Sequence, residues 1–105
     1  MTIESISGAD IMGALSERVL NTVTPGAVGV VVLFEQRITI FEFKKHELTE
    51  AIETFAPFMP IRDNRWRECF RQAFTDPLPP RHVATVLIRE CAVENGVVFS
   101  NLEAN

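Results

Sequence analysis

Ala27-Val-Gly-Val-Val-Val-Leu-Phe34, then Glu35-Gln-Arg37, then Ile38-Thr-Ile-Phe-Glu-Phe43 is the stretch whose reading decides the fold. Val30 to Leu33 leave no polar face, so the first run reads as a strand buried on both sides, as in the middle of a sheet. The second run puts Ile38 and Ile40 on one face and Phe41 and Phe43 on the other. Two such runs three residues apart predict an antiparallel hairpin, although the connection lacks a turn glycine. A sheet needs helices to cover it, and the flanking sequence supplies them.

Upstream, Ile11, Leu15 and Val19 recur every fourth residue, which predicts a first helix over about 7–22. Ser7 is its expected N-cap, and Thr24-Pro25-Gly26 ends it. Downstream, Leu48, Ala51, Ile52 and Phe55 share one face of a second helix over about 46–56, with Glu47, Glu50 and Glu53 outside and Pro57 and Pro60 as the stop. A third helix over about 64–75 follows, with Asp63 as its cap and Trp66, Cys69, Phe70, Ala73 and Phe74 on its apolar face.

Residues 81–94 fit two patterns. As a helix, Val83, Ala84, Leu87, Ile88, Cys91 and Ala92 share a face and Asn95-Gly96 caps the end. As a strand, the run would turn at Asn95-Gly96 and pair with Val97-Val98-Phe99. Periodicity favours the helix. Residues 97–101 read as a strand, and Leu102 to Asn105 as a frayed tail. The expected fold class is α+β: helix, antiparallel β-hairpin, two to three helices and a C-terminal strand, packed as a small two-layer domain over residues 1–105.

Composition narrows the function. With 105 residues, 47% hydrophobic content and eight Phe, the chain suffices for one domain with a packed core. No basic region followed by an apolar stretch opens it, and the longest apolar run is too short for a bilayer, so the expected setting is cytoplasmic and without a membrane contact. Cys69 and Cys91 are not in a zinc or redox spacing, and both fall on predicted apolar helix faces, where a thiol acts as a small hydrophobe. His46 and His82 belong to no HxxxH or HxH pair. No metal site, cofactor or nucleophile elbow is predicted. Pro25-Gly26 precedes a strand, the wrong context for a phosphate loop.

One segment departs from the background. The net charge is −4, yet Arg62, Arg65, Arg67 and Arg71, four of ten Lys and Arg, lie within ten positions around Trp66, the single Trp. Arginine grips carboxylate or phosphate with two prongs and stacks on aromatics. Arg62, Arg65, Trp66, Arg67 and Arg71 are therefore the candidate partner-binding residues, and an acidic protein is the favoured partner of that helix. Nucleic acid is the alternative, disfavoured by the overall charge and by a helix offering at most about four phosphate contacts. The bland account pairs these arginines with Glu47, Glu50, Glu53 and Glu68. The leading function is a small noncatalytic protein–protein interaction module, of inhibitor, immunity, adaptor or accessory-subunit type. The surplus of apolar strand surface predicts a homodimer. A small-molecule site or enzyme is the third reading.

Overall fold

The computed structural model describes residues 8–34, 37–60, 63–90 and 95–103. In chain order these form α1 (Gly8–Thr22), β1 (Val28–Phe34), β2 (Arg37–Phe43), α2 (Leu48–Phe55), a 3-10 turn (Ala56–Phe58), α3 (Arg65–Thr75), β3 (His82–Glu90) and β4 (Asn95–Glu103). The class is α+β, as expected. Ser7, Arg62 and Cys91 lie outside the described residues.

The four strands form one mixed sheet in the order β2-β1-β3-β4. β1 pairs antiparallel with β2 in unbroken register, Val28 opposite Phe43 through Phe34 opposite Arg37. It pairs parallel with β3, Val28 opposite Ala84. A parallel neighbour requires a long crossover, which α2 and α3 provide. The central place expected for β1 is thus realised.

Alternation along the strands creates two cores. Val28 and Val30, with Ala84, Val86 and Ile88, face α2 and α3 and pack on Ala51, Phe55, Met59, Trp66, Phe70, Ala73 and Phe74. Val31, Val83 and Leu87 face the other way and meet Leu15, Val19 and Val23 of α1 and the turn that follows it. Helices thus cover both faces of the sheet. Gly29 lets α1 approach, because a Cβ there would sit 3.1 Å from Val23 Cγ2 and 3.4 Å from Val19 Cγ1. Gly26 adopts φ +89°, the left-handed region that favours glycine. Its N–H donates to the His82 carbonyl at 2.8 Å, tying the turn before β1 to the start of β3.

The helix expected over 81–94 is a correction. Residues 82–90 are strand β3, paired antiparallel with β4 from His82–Glu103 to Glu90–Asn95. Val83 to Ile88 are buried on both faces. Such a strand has no polar parity, so its apolar pattern matches a buried helix equally well. Asn95-Gly96 is neither cap nor turn, because both residues stand in β4 opposite Glu90 and Arg89. The tail expected from Leu102 is likewise corrected, since Leu102 and Glu103 belong to β4 and Leu102 packs on the α1 core.

Candidate binding groove

The sheet extends past the helices that cover it. α2 ends at Phe55, and Pro57 occupies the first turn of the 3-10 segment, where a missing N–H costs nothing. The Met59 N–H closes that turn onto the Ala56 carbonyl at 3.1 Å. Pro60 follows, so Phe58 is carried on a stiff support and is 76% exposed. Between this turn and the sheet lies a groove of about 520 Å³. Val32, Phe34, Thr39, Phe41 and Ile88 line it from the strands, and Thr54, Phe55, Phe58 and Met59 from the helical side.

The exposed large hydrophobic residues among those described are Phe34, Phe41 and Phe58, and all three line this groove. Scattered apolar residues on a surface mean little, whereas three Phe converging on one concavity make a contiguous patch. The patch rests on a stack of rings. Phe55 meets Phe41 edge-on at 5.3 Å and Phe43 at 6.1 Å, and it contacts Phe70 at 5.8 Å. Among the described residues no charged side chain is in the lining, and the polar groups there are the hydroxyls of Thr39 and Thr54. The Thr54 hydroxyl already donates to the Glu50 carbonyl at 2.7 Å. The groove is therefore equipped to bury apolar surface and poorly equipped to orient a polar substrate.

The arginine segment occupies a different place. Trp66 is 5% exposed and belongs to the core, with its ring edge-on to Phe70 at 5.7 Å. Its Nε1 is buried and has no hydrogen-bond partner among the described residues. The Arg67 guanidinium lies 4.6 Å from the centre of the Trp66 ring. Arg65, almost wholly exposed, pairs with Asp63 at 2.7 Å. That carboxylate also accepts the Arg65 backbone N–H at 2.9 Å. These bonds hold the Asp63 carboxyl well below the usual 3.8, at about 2. Arg71 pairs with Glu68 one turn earlier in α3. Among the described residues no ion pair joins α3 to the glutamates of α2, so the self-pairing is local to α3 and to Asp63, which precedes Asn64, the residue at the N-cap position where Asp63 was expected. Exposed pairs of this kind contribute little stability. They do place Asp63 and Glu68 among the arginines, which weakens the segment as a grip for an external anion.

Three other polar features support the scaffold. Lys45, just past β2, donates from Nζ to the Ala73 and Asp76 carbonyls at 2.7 Å each, at the C-terminal end of α3. A cation here satisfies carbonyls that the helix leaves open and opposes its dipole. Burial pushes the Lys45 ammonium down from its ordinary value, against a smaller upward pull from Asp76. Burial pushes the Cys69 thiol up, helped by Glu68, which is the environment of a structural cysteine rather than a nucleophile. Glu42 accepts the Thr24 N–H at 2.6 Å and ties β2 to the turn after α1.

Among the described residues no group of three or more His, Cys, Asp or Glu could hold a metal. No described helix is long and apolar enough to cross a membrane. The chain matches no protein-family model, no curated protein and no solved structure.

Sequence reasoning did not single out Phe34, Phe58 or Met59. The signal for Phe58 was present: an aromatic between two prolines, outside any helical stripe, has no core position reserved for it.

Proposed function

We propose that the protein is a noncatalytic interaction module that self-associates and presents the Phe34–Phe41–Phe58 groove to an apolar segment of a protein partner. The observation that carries this reading is the convergence of the three exposed Phe residues on one concavity. Aromatic side chains on stiff supports bury much area at little entropic cost, and they anchor protein interfaces. A volume of about 520 Å³ would also admit a small apolar ligand. Against a substrate stands the apolar character of the described lining, in which no charged or titratable group converges. The arginine segment becomes a secondary contact for an acidic partner or nucleic acid, with Arg65 and Arg71 already engaged locally.

The test uses an anilinonaphthalene sulfonate dye, which brightens on apolar surface. One site per chain is expected. Phe58→Glu should abolish the signal, and the pair Arg67→Glu with Arg71→Glu should leave it. A signal unchanged in folded Phe58→Glu would refute the groove as the contact surface.

A further inference from the structure

We infer that two copies of the chain join through β2, edge to edge and antiparallel, about a two-fold axis at Thr39. The inference rests on the reading of the protein as a self-associating module and specifies the surface involved.

Among the described residues β2 is a terminal strand of the sheet, so one row of its backbone N–H and C=O groups has no partner strand there. Proteins blunt such edges with bulges, prolines or charges. Here the register with β1 runs unbroken from residue 37 to 43, no proline interrupts the strand, and its two charges, Arg37 and Glu42, stand towards its ends and leave Ile38-Thr39-Ile40-Phe41 uncharged between them. Ile38, Thr39, Ile40 and Phe41 are all strand formers. The opposite edge, β4, contains Asn95, Gly96, Asn101 and Glu103, which are not.

The strand is complementary to itself. Residues opposite one another across two strands share a face, so a two-fold axis must pass through a residue. With the axis at Thr39, Thr39 meets Thr39 of the partner subunit and Ile38 meets Ile40 of the partner subunit. Arg37 then lies against the 37%-exposed ring of Phe41 of the partner subunit. Thr–Thr, Ile–Ile and cation–ring pairs are each favourable across strands, and no like charges oppose. Moving the axis to Ile40 sets Glu42 against Ile38 of the partner subunit. Moving it to Phe41 sets Glu42 against Ile40 of the partner subunit. Both oppose a carboxylate to an apolar side chain, so the axis at Thr39 is preferred. This arrangement covers the exposed flanks of Phe41 and Thr39. It also leaves both grooves on the same face of the extended sheet, where one partner could engage them together.

Single cysteines at Ile38, Thr39, Ile40 and Phe41 in the full chain, oxidised with diamide and run on non-reducing gels, test the axis. Opposed residues of an antiparallel pair have Cα atoms roughly 4.5–5.5 Å apart, within disulfide reach. One residue off the axis, the two copies of a position stand roughly 8 Å apart, out of reach. Thr39→Cys is expected to cross-link in most molecules. Ile38→Cys, Ile40→Cys and Phe41→Cys should stay at the background of the unsubstituted chain. Light scattering on the unsubstituted chain should give twice 11.8 kDa. Thr39→Lys, at an exposed position, should weaken the dimer at least tenfold, because two ammonium groups meet on the axis. A dimer that cross-links at Ile38, Ile40 or Phe41, or at none of the four, overturns the axis and leaves self-association standing. A dimer indifferent to Thr39→Lys overturns the axis too. A monomer at high micromolar concentration overturns both, including one whose β2 edge takes up an added peptide strand instead.

Discussion

Phe70→Ala and Phe55→Ala remove the same ring from neighbouring places and should differ in cost. Phe70 is fully buried and contacts Trp66, Phe55 and Phe74, with ring centres 5.7, 5.8 and 6.4 Å away. Nothing can move in to fill the space it leaves. A residual cavity of roughly 100 Å³, at about 24 cal/mol per Å³, adds about 2.4 kcal/mol to the lost transfer energy and puts the total near 5 kcal/mol. Phe55 is 5% exposed and forms a wall of the groove. The space it leaves opens to solvent, and Phe41 and Phe58 can lean into it, so most of the cavity cost disappears and about 3 kcal/mol remains. A domain of 105 residues has about 5–15 kcal/mol in all, so both variants should fold but melt early. Urea denaturation followed by far-ultraviolet circular dichroism measures the two losses on one scale, and an unchanged slope would show that the unfolded states are comparable. A loss for Phe55→Ala equal to or greater than that for Phe70→Ala would refute the open groove. A loss below about 1 kcal/mol at Phe70 would refute the core itself.

Lys45→Met keeps the apolar stem and removes the ammonium from the Ala73 and Asp76 carbonyls; it should cost about 1–2 kcal/mol in the same urea assay, and no loss would mean the clasp is idle. Asp63 should titrate at about 2 rather than at 3.8 when its carboxyl carbon is followed by NMR. Because the folded value is the depressed one, its contribution is complete above pH 3.8 and is lost as pH falls through about 2; titration near 3.8 would show that Arg65 does not hold it. Gly26→Ala forces a side chain into φ +89° and should destabilise by at least about 1 kcal/mol, read as a lower melting temperature.

The helices α2 and α3 were legible in the sequence because each has one polar and one apolar side, so period 3.6 declares itself. β1 was legible for a different reason: its run of valines favours strand whatever the period. β3 is buried as thoroughly as β1, but Ala84, Leu87 and Arg89 dilute its β-branched content and allowed a helical stripe to be drawn through it. Weighing Val83, Thr85, Val86 and Ile88 together would have favoured the strand. The parallel pairing of β1 with β3 was not legible at all, since nothing local in a sequence states which distant strand lies alongside. For the site, local chemistry misdirected. The Arg–Trp segment stands out by composition, yet Trp66 was needed for the core, and two of the arginines found acids within three positions. The groove is the reverse case. Its residues come from three strands, one helix and a turn, and only folding brings Phe34, Phe41 and Phe58 to one place.

The two candidate surfaces are separated most directly by capture of host proteins on immobilised, folded chain, using the unsubstituted protein, Phe58→Glu, and the pair Arg67→Glu with Arg71→Glu. Phe58 is 76% exposed, and Arg67 and Arg71 are exposed as well. All three side chains lie outside the core, and thermal melts should confirm native baits. The expected result is a protein retained by the unsubstituted chain and by the arginine variant, and lost from Phe58→Glu. Retention by Phe58→Glu, with loss from the arginine variant, would contradict the groove and return the binding surface to α3.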